Sequence, residues 1–140
     1  VVQGQGGCRT GARGVLTGKY AKGDTVPEDS RAGRGNERLM QTEFRPSNFE
    51  LAAEVVAIAE EIGITAAQLA VAWVMANEFV SCPIIGPRTL DQLEDNLGAL
   101  EVTITPEIEA RIDALVPPGE HSGFGFQDPT FPVSGRRLRG

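Results

Sequence analysis

Cysteine, histidine and long apolar runs are scarce in this 140-residue chain, and each scarcity closes off a class of protein. The two cysteines, Cys8 in a glycine-rich stretch and Cys82 in an apolar one, make neither a metal spacing nor a disulfide framework. Cys82 reads as a buried apolar residue. No apolar run approaches the roughly 20 residues that cross a bilayer, and the first residues carry no signal-peptide pattern. The expected compartment is therefore the cytoplasm, with no membrane partner. A net charge of −6 argues against nucleic acid, whose binding draws on accumulated lysine and arginine. The basic ending, Gly135-Arg-Arg-Leu-Arg-Gly140, is short and reads as a solvated terminus. With 41% hydrophobic residues, the chain has the composition of one globular domain.

What is present is mostly helical patterning. Residues 1–13 are an atypical glycine-rich start in which Gly4 and Gly6 suggest a dinucleotide loop, but Arg9 stands where the third glycine is needed and the motif is rejected. Ala21–Pro46 is polar, carries Gly23, Pro27, Gly33 and Gly35, and reads as a long loop with a short helix around Glu37–Thr42. From Ser47 the pattern sharpens. Ser47 and Glu50 form a capping box, Leu51, Val55, Ile58 and Ile62 repeat at helical spacing, and Gly63 ends the helix. Thr65 and Gln68 repeat the start signal for a second helix with Leu69, Trp73 and Ala76 buried. Phe79–Ile85 predicts a strand and Thr89–Leu100 a third helix. Thr105-Pro106 opens a fourth helix, with Ile108, Ile112 and Leu115 on one face, and Pro117-Pro118 closes it.

The most informative stretch runs from Ser81 to Leu97. Pro83–Ile85 is apolar, Gly86 and Pro87 stop it, and Thr89 with Gln92 starts a helix whose Leu90, Leu93, Leu97 and Leu100 predict one buried face. The amides of such a helix start point back at the turn, and the guanidinium of Arg88 beside them suits a phosphate.

The string Pro83-Ile-Ile-Gly-Pro-Arg-Thr-Leu-Asp-Gln-Leu-Glu-Asp-Asn-Leu97 resembles the end of the last barrel strand and the following helix of the aldo-keto reductases. Gly14-Val-Leu-Thr-Gly-Lys-Tyr20 is similar to the segment after that family's seventh strand, and Thr65–Val74 to the helix before its eighth. The resemblance runs in order over roughly Gly14–Gly140. It implies an α/β fold, the C-terminal portion of a (β/α)8 TIM barrel, mostly helical in this chain. Residues 14–118 would form the reductase portion and 119–140 an extended tail whose Phe124, Phe126 and Phe131 pack on the barrel or line a substrate pocket. It also implies NADP as cofactor and a small-molecule carbonyl as the substrate of the complete enzyme. Gly86, Pro87, Arg88, Gln92, Asp95 and Asn96 fall at the positions around the adenosine 2′-phosphate and adenine. Asp95 has two readings, an acceptor for the adenine amino group or a solvated carboxylate on the outer face of the helix.

In the same family a tyrosine, its pKa tuned by a lysine and an aspartate, polarises the carbonyl, and a histidine orients it. Tyr20 and His121, the one tyrosine and the one histidine, lie in no matching motif, so no catalytic residue is assigned. The strand ending in Tyr-Ser-Pro-Leu that the family would place near the start is replaced by Gln3–Arg13. With Val1 as first residue, this leads to the expectation of a fragment or a misjoined gene start, inactive by itself and with apolar helix faces left uncovered. Two alternatives remain. One is a cofactor-sensing regulatory subunit that keeps the reductase fold, which resembles the potassium-channel β-subunits. The other, from the helix, glycine turn and capped helix of Glu60–Ala70, is a helix-turn-helix DNA reader.

Overall fold

The computed structural model describes residues 46–78 and 80–117 of the chain. They form four α-helices: α1 (Pro46–Glu61), α2 (Ala66–Met75), α3 (Leu90–Gly98) and α4 (Pro106–Leu115), with a 3-10 turn at Ala99–Glu101. Among the described residues there is no strand. The readings on the glycine-rich start, Tyr20, the Glu37–Thr42 helix, His121 and the three tail phenylalanines fall outside them.

α1 opens at Pro46, one residue ahead of the predicted Ser47 cap, with proline where a missing N–H removes no helical hydrogen bond. It ends in a left-handed residue, Gly63, at φ 74°. The Gly63 N–H donates to the Glu60 carbonyl and the Ile64 N–H to the Ala59 carbonyl, both at 3.0 Å, the paired bonds of a Schellman stop. A side chain at +74° crowds the backbone, so Gly63→Ala is expected to lower stability by about 1–2 kcal/mol. Urea titration checks this, since an added Cβ meets no neighbour and only the backbone conformation is probed.

α2 leaves at 91° to α1 and is the most buried element, with Ala66, Leu69, Ala70, Val71 and Ala72 inside. Its predicted capping box is complete. The Gln68 N–H donates to Thr65 Oγ1 at 3.1 Å, and the Thr65 N–H donates to Gln68 Oε1 at 3.2 Å. Trp73 and Ala76, predicted as buried, are half-buried at the edge of the core. α4 is capped by Thr105, whose Oγ1 accepts from the Ile108 N–H at 3.3 Å, with Pro106 at the first position as expected.

The core is built largely from small residues. Ala59, Ala66, Ala72 and Ala99 join Ile58, Leu69, Val71, Ile104 and Ile108, and Leu69 is the one large side chain fully buried among the described residues. Alanines at these positions let the helices approach closely, at the expense of apolar area per residue. α1 and α4 are also tied at the surface by Arg111 and Glu61, 2.7 Å apart. The hydrogen bond from Arg111, then its charge, holds the Glu61 carboxyl below its ordinary range. A hydrogen bond with the Thr105 side chain, then one with its own backbone, does the same for Glu107. Both carboxyls bind protons less readily folded than unfolded, so their stabilisation is present above the ordinary glutamate range and is lost as pH falls through the lowered folded values. Thermal melts are therefore expected to show a larger drop between neutral pH and about pH 3 for the native chain than for Glu61→Gln. The difference is small because the pair is exposed.

Three expectations are corrected. The predicted strand Phe79–Ile85 is not formed. Phe79 lies outside the described residues, and Val80–Pro87 carries no strand, with a bend at Ser81 and a single bridge position at Pro83. A strand needs a run of paired amides and carbonyls, and among the described residues only isolated bridge positions occur, at Asn77 and Pro83. The segment nevertheless alternates as a strand does, with Pro83, Ile85 and Pro87 half-buried and Cys82, Ile84 and Gly86 exposed. This period of two overturns the reading of Cys82 as buried: it stands on the open face.

The third correction concerns α3. Its leucine stripe does not face the core: Leu90 and Leu100 are 67% exposed and Leu97 is 48% exposed, with Leu93 half-buried. At about 100° per residue, Asp95, Gly98 and Ala99 share the side of the helix opposite to the leucines, and this small-residue side is the one docked on α2. Apolar surface is thus left uncovered, as expected for these helices without the rest of a barrel. No single described helix is long and apolar enough to cross a membrane.

Candidate cofactor-binding site

The six site residues predicted from sequence lie on one short path, Gly86-Pro87-Arg88 followed by α3. Thr89 caps α3, its Oγ1 accepting from the Gln92 N–H at 3.2 Å. Gln92 does not complete a second box on the Thr89 amide. Its Oε1 accepts from the Arg88 N–H at 2.8 Å, one residue further back. This bond ties the turn that carries Arg88 to the first turn of the helix. It also commits the oxygen end of the Gln92 amide, leaving the NH2 end to reach outward.

Arg88 is exposed beside the helix start, and Gly86 is exposed with nothing within 4 Å of where its Cβ would stand. Gln92 is exposed and Asn96 half-buried, four residues apart and hence on neighbouring turns of one face. Asp91 adds a carboxylate in the first turn, which stabilises the helix start and tempers the local positive field. Arg88 and Arg111 are the two basic residues between positions 46 and 117, against twelve acidic ones. Any anion held by this helical unit therefore depends on Arg88 and backbone amides.

Asp95 departs from one of its two readings. It is half-buried, not a solvated carboxylate on the outer face, and its Oδ1 accepts a hydrogen bond from Thr65 Oγ1 at 2.9 Å. Sequence reasoning did not find Thr65 as a neighbour of the site, because it lies 30 positions away.

Among the described residues no group of histidine, cysteine and carboxylate side chains could hold a metal ion. The donors present suit an organic phosphate and a base edge: a guanidinium, helix amides, two side-chain amides and one carboxylate. The site residues thus fit the adenosine end of a nicotinamide dinucleotide.

α1 and α2 meet near the right angle of a helix-turn-helix, yet α2, which would be the recognition helix, is the most buried element. It has no free face to lay in a groove, and that alternative is not carried further.

A family model decides the class. The model of the aldo/keto reductase family matches residues 8–117, and this chain belongs to that family. The match begins at Cys8, ahead of Gly14, and so takes in part of the stretch read as foreign to the family. At the level of individual proteins, the chain is similar to a probable voltage-gated potassium channel subunit beta of Oryza sativa subsp. japonica, 40% identical over 108 residues. It is similar also to a putative voltage-gated potassium channel subunit beta of Schizosaccharomyces pombe, at 37%, and to a probable one of Arabidopsis thaliana, at 36%. These matches cover 75%, 74% and 75% of this chain but 33%, 31% and 33% of the relatives. The chain spans about a third of the length of the curated relatives it matches.

Proposed function

We propose that this chain forms the adenosine-phosphate end of an NADP site in an aldo-keto reductase barrel, and that it does not reduce carbonyls by itself. The observation that carries the reading is the capped α3 with Arg88 tied to its first turn through Gln92. Arg88 grips the 2′-phosphate through a two-pronged, charge-assisted hydrogen bond, which makes NADP preferred over NAD. Gly86 and Pro87 keep the approach clear, while the Gln92 and Asn96 amides address the ribose and adenine. Asp95 accepts from the adenine amino group with the oxygen that Thr65 does not occupy. When bound, the nicotinamide ring supplies the hydride of the family's chemistry.

The chain's own contribution is binding and orientation. Neither Tyr20 nor His121 stands in a catalytic motif, and a missing general acid removes about 10²–10⁴-fold in rate. Titrating the full chain with NADPH by fluorescence and then adding an aldehyde tests both halves. Saturable binding with unchanged NADPH absorbance is expected. Aldehyde-dependent oxidation would refute the claim of inactivity, and absence of binding would refute the site.

A second reading rests on the names of the relatives, all three channel β subunits. On it the same site senses the nicotinamide cofactor for a partner protein, with the reductase fold as carrier. It predicts that a stable complex with a partner forms and that NADPH changes its strength. On either reading, the leucine face of α3, exposed here, is where the rest of a barrel would pack.

A further inference from the structure

Thr65 Oγ1 carries two hydrogen bonds of different purpose. As an acceptor it caps α2 through the Gln68 N–H at 3.1 Å, and as a donor it holds Asp95 Oδ1 of α3 at 2.9 Å. The other half of the capping box reaches the same helix. Gln68, fixed by the bond from the Thr65 N–H, lays its side-chain amide against Gly98, where a Cβ on residue 98 would collide with Gln68 Nε2. Asp95 and Gly98 are three residues apart and share one side of α3. The start of α2 therefore clasps α3 at two points on successive turns, one a hydrogen bond and one a close approach in which a side chain at position 98 would displace the Gln68 amide. The carboxylate of Asp95 also faces the positive end of α2, where a negative charge is favoured.

We infer that Thr65 is a positioning residue for the cofactor site: its hydroxyl fixes the carboxylate of Asp95, and with it the rotation of α3 that sets Gln92 and Asn96. The inference rests on the cofactor reading above and adds to it a residue outside the turn and helix that make contact. A cap needs only an acceptor oxygen, whereas positioning Asp95 needs the hydroxyl proton, and this difference separates the two roles.

Thr65→Ser keeps both acceptor and donor. Thr65→Asp keeps a good cap acceptor, removes the donor and sets a second carboxylate against Asp95. On the full chain, Thr65→Ser is expected to bind NADPH within about twofold of the native protein, while Thr65→Asp loses roughly tenfold with its helical circular dichroism retained. Adding Asp95→Asn to Thr65→Asp removes the repulsion and allows the amide to donate to the new carboxylate, so the double variant is expected to melt above Thr65→Asp alone. Native affinity in Thr65→Asp, or additive losses of melting temperature in the double variant, would overturn the inference. Should the native chain bind no NADPH, the cofactor reading fails. The melting comparison then decides alone, non-additivity upholding the Thr65–Asp95 coupling and additivity overturning it.

Discussion

Leu69→Ala is expected to lower the unfolding free energy by about 2–5 kcal/mol, enough to abolish cooperative folding in a unit with so thin a core. Leu69 is 1% exposed and sits on α2, the helix on which α1 and α3 both pack. The alanines around it are already at their smallest, so the cavity has few side chains that can close into it. Leu97→Ala provides the contrast. The same chemical change at a residue 48% exposed is expected to move stability by no more than about 0.5 kcal/mol. Urea unfolding followed by the fluorescence of Trp73, the single tryptophan, reads both. Trp73 packs at the rim of this core and reports its loss directly.

The second large effect is on ligand binding. Arg88→Ala is expected to weaken NADPH binding about 10- to 150-fold, the range for losing hydrogen bonds to a charged group worth about 1.5–3 kcal/mol. NADH, which lacks the 2′-phosphate, is expected to bind the variant and the native chain alike. Arg88→Lys keeps the charge and loses the fork, so it should fall between the two and show the steeper response to salt. Because Arg88 is exposed, stability should change little in either variant, which separates loss of binding from loss of fold.

Local signals were legible in the sequence, and long-range ones were not. The Thr65–Gln68 box, the Gly63 stop and the Thr105-Pro106 start each depend on residues within five positions of one another, so the residue types alone specify the geometry. The orientation of α3 depends on its neighbours. Its leucines form the larger apolar face and predict burial, yet among the described residues α3 meets α2 through Asp95, Gly98 and Ala99 instead. The Gly98-Ala99 pair is a signal of its own, since small residues mark where helices can approach closely, and the reading from leucine periodicity did not use it. The same holds for Cys82. An apolar run reads as buried on both faces only if both faces have neighbours, and here one face has none among the described residues. The proposed site residues could be named as a string because they are consecutive or one helical turn apart. Thr65, which reaches the site from another helix, could not.

The uncovered face has a functional meaning within the family. A (β/α)8 barrel takes about 250 residues, and this chain covers about a third of its relatives. The exposed leucines and the open face of the Val80–Pro87 segment are where further strands of a barrel would pack. The α3 turn, by contrast, is built from local bonds, Gln92 to Thr89 and Arg88 to Gln92, and the proposed phosphate-gripping end rests on these.

The most direct test of that claim compares 2′,5′-ADP with 5′-ADP by calorimetric titration of the full chain. Both carry adenine and ribose, and they differ only in the 2′-phosphate assigned to Arg88. Binding at least about tenfold tighter for 2′,5′-ADP, lost in Arg88→Ala, is the expected result. Equal affinity for the two, or a preference that survives the loss of Arg88, would contradict it.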